Sequence, residues 1–144
     1  MMLGRSLGML LDHLRDRRRR ARWSPEQAAG RRGEDLAHRF LQQHGYVIVA
    51  RNYRPAFGGA EADLIAWDGP ELVLVEVKTR ATTEFGPPDR AVGPEKQRAV
   101  RRAARDWARK AHIPRHQLRC DVVTVVLSPR PQIELFQNAF RWNF

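Results

Sequence analysis

The sequence is poor in cysteine, in lysine and in long apolar runs. Cys120 is the single cysteine among 144 residues. It cannot form an internal disulfide, so a secreted disulfide scaffold is excluded and a reducing, cytoplasmic setting is expected. No apolar stretch approaches the roughly 20 residues that span a bilayer. His112 and His116 stand at helical spacing, but Pro114 lies between them and breaks the helix that a zinc pair would need. Acidic residues are scarce too. Asp and Glu number 16 against 26 Lys and Arg, which leaves a net charge of +10 and a pI near 11.2. A domain this basic usually meets a polyanion, most often nucleic acid.

Of the basic residues, only Lys78, Lys96 and Lys110 are lysine. Ammonium and guanidinium groups are not interchangeable at a crowded reacting centre. A chain that defaults to arginine therefore singles these three positions out.

What is present suits one α/β domain over residues 24–144, preceded by a basic arm over 1–23. In the arm Leu3, Leu7, Leu10, Leu11 and Leu14 fall at helical spacing, followed by an Arg-rich run over 15–22. A secretory signal carries its charge before the apolar stretch, whereas most of this charge follows it. A basic amphipathic helix there could touch a membrane surface or grip phosphates; the expectation is a loosely attached basic arm, with no stable membrane association.

Ser24-Pro25 opens a helix that Gly45 ends. Gly30 and Gly33 weaken it, which suggests a packing reason for small residues there. Strands are expected over Tyr46–Arg54, Glu61–Trp67 and Leu72–Thr79, the last two joined by the turn Asp68-Gly69-Pro70-Glu71. A basic helix follows over Glu95–Ala111, then strands over Asp121–Leu127 and Ile133–Phe136. Trp67 and Trp107 read as core residues. The order predicts a sheet flanked by helices.

The turn at 68–71 sets Trp67 against Leu72, and so Asp63 against Glu76. Opposed residues in an antiparallel pair have Cβ atoms about 4.5–5.5 Å apart. Two carboxylates there repel unless a cation or proton sits between them. Leu72, Leu74, Glu76 and Lys78 share one face of their strand; Val73, Val75, Val77 and Thr79 share the other. Two carboxylates and a lysine at one rim suit Mg2+ or Mn2+ and phosphodiester hydrolysis. They also suit a simple surface ion pair. Glu61 shares the face of Asp63 and reads as a solvated strand end. Arg98, Arg101, Arg102, Arg105 and Arg109 share one helix face that can follow a phosphate backbone.

Several motifs occur together in order. They are Gly30-x-x-Gly33-Glu34-x-x-Ala37, Arg51-Asn52-Tyr53-Arg54, Glu61-Ala62-Asp63-Leu64-Ile65-Ala66 and Val75-Glu76-Val77-Lys78-Thr79-Arg80. Phe85-Gly86, Lys96, Arg119-Cys120-Asp121-Val122-Val123 and Gln137-Asn138-Ala139-Phe140 continue the series. Over about residues 28–140 the chain resembles the YraN family, also called UPF0102. That family is similar to archaeal Holliday-junction resolvases and to restriction-endonuclease-like, PD-(D/E)xK nucleases. The resemblance implies a restriction-endonuclease-like α/β fold with a mixed central sheet between helices. It implies Asp63, Glu76 and Glu34 as metal ligands and Lys78 as the catalytic lysine. The family usually reads Gly-Glu-Ile-Asp where this chain has Ala60-Glu61-Ala62-Asp63. Gly59 can supply the turn in place of Ala60, and Ala62 fills less space than Ile.

The function expected is a metal-dependent nuclease acting on DNA, with Arg80, Lys96, Arg98, Arg101, Arg102 and Arg105 as contacts to nucleic acid. A junction-cutting enzyme would need two sites, hence a homodimer. The alternative is a nucleic-acid-binding or partner-docking protein with a nuclease-like fold and no catalysis.

Overall fold

A computed structural model describes residues 23–140, apart from 56–58, 60, 85 and 87. Nearly all of the expected arm, together with Ala60, Phe85, Trp142 and Phe144, lies outside the described residues. Helix α1 spans Pro25–Gln43. Strands β1 (Val47–Tyr53), β2 (Ala62–Asp68) and β3 (Glu71–Arg80) follow. Helix α2 spans Pro94–Ala111, and β4 (Leu118–Val126) and β5 (Gln132–Phe136) close the order. The five strands lie in chain order in one mixed sheet. Only β3 and β4 run parallel, and a parallel neighbour needs a crossover, which α2 supplies. The architecture is mixed α/β and compatible with a restriction-endonuclease-like fold. No helix among the described residues is long and apolar enough to cross a membrane.

Local chemistry starts and stops α1. Ser24 Oγ accepts from the Gln27 N–H at 3.2 Å, and Gln27 Oε1 accepts from the Ser24 N–H at 3.1 Å. This reciprocal box satisfies two backbone donors that a helix start leaves orphaned. Gly45, at φ +86°, turns the chain away.

Strand β3 is the spine. Leu72, Val73, Leu74 and Val75 are fully buried, because each face meets a helix. Leu72 and Leu74 pack with Val100, Ala103, Ala104 and Ala108 of α2. Val73 and Val75 pack with Ala37 and Leu41 of α1. Burying one such side chain stabilises the fold by about 1.5–3 kcal/mol. Ala62 is also fully buried in the α2 layer. Trp67 and Trp107 pack against this layer while only partly buried.

Strand β4 begins at Leu118, three residues before the expected Asp121. The polar Arg119, just ahead of the expected strand, disguises that start, but with Asp121 it belongs to one closed network. Arg119 donates to Asp121 and Asp68 and reaches Glu71 at 3.0 Å. Tyr46 donates to Asp121 Oδ2 at 2.8 Å, and the Asn138 N–H donates to Oδ1 at 2.9 Å. The fully buried Asp121 is thus saturated, as a buried charge must be. Burial raises the Tyr46 phenol to a pKa of about 12.

Gly33 and Gly30 differ. A Cβ on Gly33 would stand 1.8 Å from Thr79 Oγ1, whereas one on Gly30 would meet nothing within 4 Å. Close approach at Gly33 sets α1 against the end of β3. Gly30→Ala should therefore stabilise the protein by about 0.5–1 kcal/mol. Gly33→Ala should destabilise it by about 1–3 kcal/mol. Urea unfolding of both variants checks this; equal effects would contradict the close approach.

Candidate active site

The β2–β3 pairing includes Trp67–Leu72, as the turn dictates, and extends to Leu64–Val75. Beyond Leu64, the Asp63 carboxylate replaces a ladder partner: Oδ2 accepts the Val77 N–H at 2.8 Å. Glu76 lies next to it on β3, with its side chain 5% exposed. Its pKa is pushed up to about 8, first by burial and next by the Asp63 charge. Burial also raises Asp63, aided by Glu34 and Glu61 against the pull of Val77 N–H and Lys96. Among the described residues one oxygen of Glu76, Oε1, is buried and takes no hydrogen bond from a donor, although a protonated Glu76 can itself donate to Asp63, a contact that helps raise its pKa. Once ionised, such an acceptor is costly unless a cation or donor completes it.

The cation beside these groups comes from α2. Lys96 Nζ stands 3.4 Å from Glu76 Oε2 and 3.4 Å from Glu61 Oε1. Partial burial works against its charge, but Glu76, Asp63 and Glu61 outweigh this and raise its pKa. Glu61 also meets Arg54 at 3.3 Å. The expected solvated end is therefore half-buried and ion-paired, and the Glu61 N–H donates to the Ala99 carbonyl of α2 at 3.2 Å.

Lys78 shares the Glu76 face of β3, but among the described residues its ammonium goes to the Ala91 carbonyl rather than to either carboxylate. Glu34 approaches from α1, on the opposite side. Its Oε2 accepts from Asn52 at 3.2 Å and meets Arg51 at 3.5 Å. Asn52 reaches it from a positive φ of 49°, a conformation that asparagine tolerates. Among the described residues no three His, Cys, Asp or Glu side chains converge as a ready metal cage. Asp63 and Glu76 are brought together, and Glu34 influences Asp63 while held by its own partners. Two carboxylates are what Mg2+ commonly takes, with water filling its remaining places.

Outside this cluster, Arg98, Arg101, Arg102 and Arg105 line a hollow of about 210 Å3 on α2. Arg101 also meets Gln97 at 3.2 Å, and Arg109 pairs with Asp106 at 3.1 Å. Arg80, half-buried, ends β3. Lys96 is placed with the carboxylates rather than with the arginines. It also forms part of the wall of a depression of about 700 Å3, with Gly59, Gly93, Pro94, Glu95 and Ala99.

The sequence profile of the uncharacterised protein family UPF0102 matches residues 33–125. A UPF0102 protein of Solibacter usitatus is 50% identical over 131 residues, 91% of this chain and 98% of the relative. The chain belongs to the UPF0102 family. Another UPF0102 protein, from Koribacter versatilis, is 44% identical over 112 residues, covering 77% of this chain and 78% of its own. One from Rhodococcus opacus is 44% identical over 115 residues, covering 78% and 96%. The family match spans Glu34, Asp63, Glu76, Lys78 and Lys96 alike.

Two residues of this UPF0102 site escape a simple reading of its motifs. Lys96 looks like one more cation on a basic helix. Its signal is position: it precedes Val100 and Ala103 by four and seven residues, on the stripe that faces the sheet. Glu61 looks solvated because its partner lies on a distant helix.

The charge crowding has a stability consequence. Unfolded, Glu76 loses its proton near 4.5; folded, it holds the proton to about 8. The native state binds more protons in between, so stability falls as pH rises from about 4.5 through 8. Glu76→Gln should remove that fall, leaving the variant about 2–4 kcal/mol more stable than wild type at pH 8.5 and nearly equal at pH 4.5. Urea unfolding at the two pH values checks it. A variant less stable at pH 8.5 would show that the charge is not under strain.

Proposed function

We propose that this UPF0102 protein is a metal-dependent nuclease that hydrolyses phosphodiester bonds in DNA. The observation that carries the reading is the buried Asp63–Glu76 pair, with one Glu76 oxygen that no donor reaches among the described residues. Like charges set side by side, with one acceptor open, fit a small hard cation. Asp63 and Glu76 would hold Mg2+ or Mn2+, with Glu34 on the Asp63 side. When bound, such an ion supplies an acidified water and neutralises charge on the phosphoryl group. The chain's own groups do the rest. Lys78, oriented by the Ala91 carbonyl, offers an ammonium beside the metal ligands to stabilise charge developing on phosphate. The arginines of α2 hold neighbouring phosphates and fix the strand's register. The likeness of the family motifs to restriction-endonuclease-like nucleases, and a sheet arrangement compatible with that fold, support the same reading.

A second reading has its own observation: Lys96 already neutralises part of the acidic pair, as expected of a nucleic-acid-binding protein without catalysis. Cleavage assays on branched, single-stranded and duplex DNA with Mg2+, Mn2+ or EDTA separate the two. Metal-dependent cutting should fall about 100-fold or more in Asp63→Asn, Glu76→Gln and Lys78→Met. Because the metal needs ionised Glu76, whose pKa burial and Asp63 raise, metal affinity should weaken as pH falls. Cutting that survives EDTA or Glu76→Gln would overturn the proposal. Binding without cutting under any metal would select the second reading.

The basic helix makes a separate prediction. Replacing Arg98, Arg102 and Arg105 by glutamine should weaken DNA binding and reduce the salt slope by about one for each phosphate that is no longer neutralised. Titrations at several salt concentrations measure it. An unchanged slope would remove α2 from the interface.

A further inference from the structure

We propose that Lys96 is the resident cation of the acidic site, that an entering divalent metal displaces it, and that the released ammonium engages the substrate phosphate. The inference rests on the hydrolytic reading and adds a loading step to it.

Four observations carry it. First, Lys96 is the ammonium that meets Glu76; Lys78 is tied to the Ala91 carbonyl. Second, its hold is loose. Both contacts are 3.4 Å, whereas a well-formed charge-assisted bond is about 2.7–2.9 Å. Third, it satisfies only half of Glu76. The carboxylate is 5% exposed at its side chain, and among the described residues no donor reaches Oε1. A metal taking that carboxylate together with Asp63 would stand beside a positive ammonium. In a site shielded from water that repulsion is strong, so both cations cannot keep their places. Fourth, Lys96 has somewhere to go. Its side chain is 35% exposed, Glu61 is a second, more accessible anchor, and Lys96 borders the depression formed with Gly59, Gly93, Pro94, Glu95 and Ala99.

Lysine rather than arginine is the chemistry such an exchange needs. An ammonium is a compact point charge on a flexible stem, while a guanidinium locks onto carboxylates through paired bonds. In a chain whose basic residues are otherwise overwhelmingly arginine, this position carries the group that lets go. The consequence is thermodynamic coupling. Metal alone must displace Lys96, whereas metal arriving with a phosphate leaves Lys96 a new partner. Metal and nucleic acid should therefore bind cooperatively, each strengthening the other by the same factor.

The test is Mn2+ binding by calorimetry, with electron paramagnetic resonance of free Mn2+ as a second readout, at fixed pH and without nucleic acid. The full chain is compared with its Lys96→Met, Lys96→Gln, Lys96→Arg and Glu76→Gln variants. Lys96→Met should bind Mn2+ about tenfold more tightly than wild type, and Lys96→Gln should agree, so that misfolding of one does not decide the result. Lys96→Arg, whose guanidinium would grip the carboxylates through paired bonds, should bind Mn2+ more weakly than wild type. Unchanged or weaker Mn2+ binding in both neutral variants, with binding lost in Glu76→Gln, overturns the displacement and leaves the hydrolytic reading standing. Absence of Mn2+ binding in wild type and both neutral variants overturns both.

Discussion

Two carboxylates share the place where strands β2 and β3 stop pairing, and the site depends on how that conflict is resolved. Asp63 leaves the ladder to accept the Val77 N–H. Glu76 stays buried in the sheet with one oxygen that no donor reaches among the described residues. The arrangement is poor as a stabilising device, because a buried like-charged pair opposes folding once both groups ionise. The repulsion would disappear if a positive charge arrived, and on that ground we propose the pair as a cation site.

The rest of the molecule holds the pair in place. β3 cannot slip, because helices cover both of its faces and a one-residue shift would expose its core side chains. α1 fixes one side through the Gly33–Thr79 approach. α2 fixes the other through the Glu61–Ala99 backbone bond and Lys96. The opposite end of the sheet offers a comparison. Asp121 is more deeply buried than Glu76, yet it takes Arg119, Tyr46 and the Asn138 N–H. One buried acid is saturated and ties strands together. The other is left incomplete, beside an ammonium that does not fill it.

The sequence made the framework legible where local chemistry decides it. A Gly-Pro turn fixes the β2–β3 register, and period-two alternation assigns the faces of β3, so Asp63 and Glu76 meet as expected. It was less legible where partners come from far away. Arg119 falls outside the expected strand until Asp121, Tyr46 and Asp68 are seen around it. Glu61 reads as a solvated strand end and Lys96 as a contact to nucleic acid, because their partners lie on different elements. Glu34, carried over by family likeness, does approach Asp63, but Arg51 and Asn52 hold it in a way no spacing reveals. Tertiary electrostatics, rather than propensity, separates these cases.

The central claim is that Asp63 and Glu76 form a divalent-cation site. Anomalous diffraction from crystals soaked in Mn2+ tests it most directly. The account predicts a manganese peak coordinated by both carboxylates, with the Lys96 ammonium withdrawn from Glu76. Crystals that bind no manganese there, with Lys96 still seated on Glu76 at high Mn2+, would contradict it.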